Sequence, residues 1–133
     1  MYGYVLQDWI TVRSTVITPI VQNESDWLGF SSFQDIAFWI DVRGLTPASG
    51  TTNNILLELQ TAPTKDEVLF KVMTGCSVSP LVLGSPLAIS KCLLASNPAV
   101  PLSTWVRWVL TPTNATQWDV TFRILASANR VAA

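Results

Sequence analysis

The sequence contains no histidine, which removes Ser-His and Cys-His nucleophile pairs, the commonest general base and most zinc sites together. Charge is scarce as well: 13% of the 133 residues are Asp, Glu, Lys or Arg, against about 25% in ordinary soluble domains. The net charge is −1 and the basic residues are scattered, so the chain lacks the clustered cations that neutralise phosphates, and direct contact with nucleic acid is not expected. Two cysteines, Cys76 and Cys92, do not make a disulfide framework. They read as buried thiols, with one cross-strand disulfide as the alternative if their strands pair. Apolar runs such as residues 36–40 fall far short of the ~18 residues a membrane span needs, so no membrane partner is expected. Residues 1–13 lack an early basic group, and Asp8 interrupts their apolar stretch, so a signal peptide is not expected either. Gly-rich phosphate-cradling motifs are absent, and Glu24, Asp26 and Asp35 do not have calcium-loop spacing. No metal or cofactor is expected.

What the chain has is apolar surface: 49% hydrophobic residues and six tryptophans. One domain of this size needs one core, and soluble monomers rarely leave large contiguous apolar patches exposed. The surplus therefore points to faces covered by other subunits, and a homo-oligomer or a place in a larger assembly is expected.

Period-2 alternation dominates the chain, and no convincing 3.6-residue period runs beyond about ten residues. In residues 35–43, Ile36, Phe38, Ile40 and Val42 share one face, and Ala37, Trp39, Asp41 and Arg43 the other. A turn-rich segment, residues 44–54, follows; then Ile55, Leu57 and Leu59 point inward from a strand over residues 55–60. Further strands are expected over residues 4–12, 14–21, 68–74 and 87–94, with Pro19 favouring an edge. Residues 104–110 and 118–126 read as a β-hairpin with a long tip, in which Val106, Trp108 and Leu110 meet Trp118, Val120, Phe122 and Ile124. Short strands spaced by turn signals about every 8 to 12 residues suggest a sandwich or barrel. The expected fold is therefore all-β: one antiparallel β-sandwich over residues 1–133, with about eight strands, long loops and flexible arms at residues 1–3 and 129–133.

Two sets of side chains stand out as candidates for function. Trp39 and Trp105 have the parity of the polar face, in the company of Arg43, Arg107 and Arg123, whereas Trp108 and Trp118 have core parity. Outward rings among arginines suit a sugar platform, a subunit interface or cation–π cover over guanidiniums. Tyr2, Tyr4, Trp9, Trp27, Leu28 and Phe30 lie outside the main strand pattern and are candidates for subunit contacts, with Trp27 alternatively plugging one end of the sandwich. On that reading, removal of residues 1–8 weakens assembly more than folding. The one route to catalysis is a carboxylate pair, Asp41 and Glu58, on strands expected to be neighbours. Cross-strand ion pairs with Arg43, Lys71, Arg107 and Arg123 are the simpler use of those charges, and the expectation is a protein that is not an enzyme.

Three stretches, FQDIAFWIDVR (33–43), ILLELQTAPTKDEVLF (55–70) and WVRWVLTPTNATQWDVTFRILASAN (105–129), resemble small β-sandwich structural proteins of tailed bacteriophages and prophages. The resemblance implies a jelly-roll-like fold and a virion part such as a capsid decoration or cement protein, with tail or fibre accessory components as the nearest alternative. It also implies assembly in the bacterial cytoplasm, self-association (often as trimers) on a larger protein shell, and no catalytic residues. A carbohydrate-binding module using its exposed tryptophans is the alternative from a different class.

Overall fold

A computed structural model describes residues 2–30, 33–46, 53–83, 87–92 and 102–130. Nine strands lie among the described residues: β1 (Tyr2–Ser14), β2 (Ile20–Val21), β3 (Leu28–Gly29), β4 (Phe33–Thr46), β5 (Ile55–Ala62), β6 (Lys71–Val78), β7 (Leu87–Cys92), β8 (Trp105–Pro112) and β9 (Trp118–Arg130). They form two antiparallel sheets, ordered β1-β9-β4-β7 and β2-β8-β5-β6, and β3 also pairs with β8. β2 meets β8 at Leu110 and Val109, and β3 meets it at Val106 and Trp105. The two short strands are therefore one interrupted strand along a single edge, giving eight strand positions in all. In that count the first position pairs with the eighth, the second with the seventh, the third with the sixth and the fourth with the fifth. This nested pairing is what a long antiparallel ribbon makes when it rolls up on itself, and the chain folds as a jelly-roll sandwich.

Alternation determines the layers. Ile36, Phe38, Ile40 and Val42 of β4 and Ile55, Leu57 and Leu59 of β5 are buried in one core together with Val106, Trp108, Leu110, Trp118, Val120, Phe122 and Ile124. Each such side chain contributes roughly 1.5–3 kcal/mol by leaving water. The hairpin expected between residues 104–110 and 118–126 is not formed, because β8 lies in one sheet and β9 in the other. The apolar residues assigned to it do meet, but across the sandwich: the Trp108 and Phe122 rings stand edge to face with centroids 5.1 Å apart. Period 2 shows which face of a strand is buried and leaves open whether the facing residues belong to the same sheet.

Other boundaries also shift. β1 runs through Tyr2–Ser14 with two register shifts, between Val5 and Gln7 and between Gln7 and Ile10, each inserting an extra residue as a β-bulge does. Val68 and Leu69, expected in a strand, belong to a 3-10 turn, Glu67–Leu69, whose preceding Asp66 accepts a hydrogen bond from the Val68 amide. β6 then bulges against β5, and Gly75 sits there with φ +80°, a conformation glycine adopts without steric cost. Near the termini, Tyr2 and Gly3 pair with Ala128 and Ser127, and Asn129 and Arg130 oppose Asp35 and Phe33. The parts of the expected arms that are described are thus strand, while residues 1 and 131–133 lie outside the described ones. Cys76 is buried in the core; the side chain of Cys92 lies outside the described residues.

Candidate functional site

The side chains singled out in the sequence divide between the two outer faces of the sandwich. Trp105 and Arg107 leave β8 on the outside of the β2-β8-β5-β6 sheet, while Trp39 and Arg43 of β4 and Arg123 of β9 lie on the outside of the other. They do not make one platform. Asp41 and Glu58 are separated in the same way, because β4 and β5 belong to different sheets, so the expected neighbouring-strand carboxylate pair is not formed.

On the β8 side, the chain between β2 and β3 leaves the sheet edge in a 3-10 turn, Glu24–Asp26. This carries Trp27 over the sheet, where it forms a second small apolar cluster with Ala62 and Phe70, flanked by Val21 and Trp105. Trp27 and Phe70 meet edge to face at 4.8 Å. Arg107 lies beneath them, 5% exposed, with its guanidinium carbon 5.0 Å from the Trp27 ring centre and 4.0 Å from that of Phe70. Its Nε donates to Gln60 Oε1 at 2.9 Å, and its Nη1 is 3.7 Å from the exposed Glu67 carboxylate. Burial pushes the Arg107 pKa down, and Glu67 partly offsets this. Lys65 covers the half-buried Trp105 at 4.4 Å. Arginine and aromatics here close over one another, and Trp27 is 8% exposed, which corrects its assignment to a subunit contact. Phe30, 1% exposed in the main core, is corrected likewise. Tyr4 is half-buried with its ring edge-on to Phe30 and Phe33 at 5.3 and 5.6 Å, and Leu28 is half-buried against the same core. Local strand parity carries no mark of this second cluster, whose members come from four separate segments.

A buried glutamine ties this edge to β1. Gln22 donates through Nε2 to the Leu6 carbonyl at 2.6 Å and accepts from the Trp108 amide at 3.3 Å, and its own carbonyl receives Trp27 Nε1 at 2.9 Å. Trp108 Nε1 donates to Gln7 Oε1 at 3.0 Å. Leu6 is itself buried in the core. Removal of residues 1–8 would therefore strip core and sheet together, contrary to the expectation that assembly would suffer more than folding.

The outer face of the β1-β9-β4-β7 sheet is the candidate site. At its centre Asp41 is 3% exposed, held by Arg43 (Nε to Oδ1 2.8 Å, Nη2 to Oδ2 3.3 Å) and by Arg123 Nε to Oδ2 at 3.3 Å. The hydrogen bonds from Arg43 hold its carboxyl below the usual range; burial opposes them, and the charges of Arg43 and Arg123 reinforce them. The Arg43 pKa rises in return. Both guanidiniums lean on Trp9, 5.6 and 4.8 Å from its ring centre. Two arginines thus share one carboxylate beside a tryptophan that is 42% exposed.

Along the same face the next rows are uncharged. Val5, Leu125 and Trp39 are in register across β1, β9 and β4, and so are Gly3, Ser127 and Ala37 one row further. Val5 is 54% and Trp39 39% exposed. A shallow depression of about 360 Å³ lies beside them, lined by Gly3, Tyr4, Val5, Leu125 and Ala126. Trp9, Trp39 and Arg43 are the sequence candidates that remain open to solvent on this face; Tyr2 lies at the start of β1. Val5 and Leu125 were missed, and their signal was available: Val5 next to Leu6 is an apolar residue on the wrong side of the alternation.

Among the described residues there is no group of three or more Cys, Asp or Glu able to hold a metal ion, and no helix long and apolar enough to cross a membrane. No protein-family model and no curated protein matches the chain.

Proposed function

We propose that the chain is a non-enzymatic structural protein of a virion, a capsid decoration or cement protein that assembles as an oligomer on a phage or phage-derived particle in the bacterial cytoplasm. The jelly roll is an architecture of viral capsid domains and also of lectins, and the fold alone does not choose between them. The observation that carries the reading is the outer face of the β1-β9-β4-β7 sheet, where Val5, Leu125 and Trp39 make an apolar row on a chain poor in charge. Aromatic anchors with few free charges suit contact with a protein surface. The carboxylates support no cleft chemistry in this account: Asp41 is committed to two arginines, and Glu58 is on the other sheet.

Density-gradient sedimentation of purified particles mixed with the protein tests the reading. The protein is expected to band with the particles at a saturating, fixed ratio; protein that stays at the top of the gradient at every ratio would contradict it. The carbohydrate-binding alternative keeps one supporting observation, that Trp9 and Trp39 both open onto this face. Glycan-array binding abolished by Trp39→Ala, with the melting temperature unchanged, would favour it.

A further inference from the structure

We infer that two copies of this chain pack face to face through the β1-β9-β4-β7 sheet about a twofold axis that runs across the strands, level with Tyr4, Ala126 and Phe38. The inference deepens the self-association in the reading above and rests on that part of it alone. On this face three of the four strands, β1, β9 and β4, each carry a large residue two positions from a small one, and the three pairs are in register. Val5 and Gly3 are on β1, Leu125 and Ser127 on β9, Trp39 and Ala37 on β4. A twofold axis between the two rows turns one copy over and lays its large row on the small row of the other. Val5 then sits over Gly3, Leu125 over Ser127 and Trp39 over Ala37, and each contact occurs twice, as an isologous interface requires. The small row leaves room: a Cβ built at Gly3 meets nothing within 4 Å, and the depression lined by Gly3, Val5 and Leu125 opens beside it.

Charge follows the same symmetry. The axis that places row on row also brings the row of Arg123 and Asp41 over the register positions of Asn129 and Asp35, since both rows lie three residues from it. Asp41 neutralises only one of the two arginines bound to it, so the row with the excess positive charge falls on a row whose register positions on β9 and β4 hold no basic residue. Strands at ~3.4 Å per residue and ~4.8 Å apart give an overlap on the order of 500 Å² in plan per copy. Side-chain relief raises this toward the lower end of specific interfaces, about 1,200 Å² in total. A dissociation constant in the micromolar range is expected.

Sedimentation velocity across that range tests the pairing. Val5→Glu and Gly3→Lys should each weaken the dimer at least tenfold, because Val5 is 54% exposed and Gly3 open, so neither change disturbs the core; unaltered melting curves check this. Mixing the two variants should restore a dimer, since their heterodimer sets the introduced carboxylate against the introduced ammonium at one contact and keeps the native pair at the other. Val68→Glu, at a residue 78% exposed in the 3-10 turn after β5, should leave the dimer intact. A wild-type monomer at all concentrations, a dimer indifferent to Val5→Glu, or two monomeric variants that stay monomeric when mixed would each overturn the inference. A dimer that obeys the pattern but never binds a particle would leave it standing and remove the virion reading.

Discussion

Replacing Arg107 by methionine separates the bulk of this side chain from its charge. The guanidinium is buried under Trp27 and Phe70, makes one hydrogen bond to Gln60 and has only a 3.7 Å contact with an exposed carboxylate. Relieving a buried, incompletely paired charge with an apolar residue of similar length is worth about 1–4 kcal/mol. Against this stand cation–π contacts of roughly 0.5–2 kcal/mol and a hydrogen bond to a charged donor, about 1.5–3 kcal/mol. The terms nearly cancel, so Arg107→Met should lie within about 1 kcal/mol of wild type. Arg107→Ala removes the same charge but also the stem that supports both rings, and should cost about 2–4 kcal/mol more, as large-to-small changes in packed sites do. Urea denaturation, at concentrations below those at which copies associate, reads both as shifts in midpoint at constant slope. If the methionine variant falls as far as the alanine one, the bonds of Arg107 rather than its packing hold this patch together, and the reasoning fails.

Three further outcomes follow from the same geometry. A double-mutant cycle on Trp108→Leu and Phe122→Leu should give a coupling of about 0.5–1.5 kcal/mol, because the rings meet edge to face across the core; additive effects would contradict that contact. The depressed pKa of Asp41 means that its ion cluster stabilises the fold above the ordinary carboxylate value of 3.8 and loses that contribution as pH falls through the lower, folded value. The melting-temperature gap between wild type and Asp41→Asn should therefore be steady from neutral pH to about pH 5 and close only below that; a gap that closes near neutrality would refute the assignment. Gly75→Ala, at φ +80°, should cost about 1 kcal/mol or more in thermal or urea unfolding although its Cβ would meet nothing, and an unchanged midpoint would contradict it.

The inward faces of the strands were legible in the sequence, because burial on one side imposes period 2 on each strand separately. Ile36 to Val42 on alternate positions, and Ile55, Leu57 and Leu59, lie where that pattern puts them. Strand partnership was not legible, because pairing the first strand position with the last depends on contacts more than a hundred residues apart. Hence β8 and β9, adjacent in sequence and matched in pattern, suggest a hairpin although they lie in opposite sheets. The same gap split the candidate site: parity placed Trp39 and Trp105 outward, correctly, but could not show that they face opposite ways. The interrupted edge strand was missed for a different reason. Residues 22–27 leave the sheet to cap Arg107, and tertiary packing of one tryptophan overrides the local pattern there.

Self-association through an exposed sheet face is the claim on which the account depends, and sedimentation equilibrium of the wild-type chain from about 1 to 100 µM tests it most directly. The weight-average mass is expected to climb from 14.6 kDa toward twice that value or a higher multiple, and to stay at the monomer value for Val5→Glu over the lower part of the range. A single 14.6 kDa species at every concentration would contradict the account.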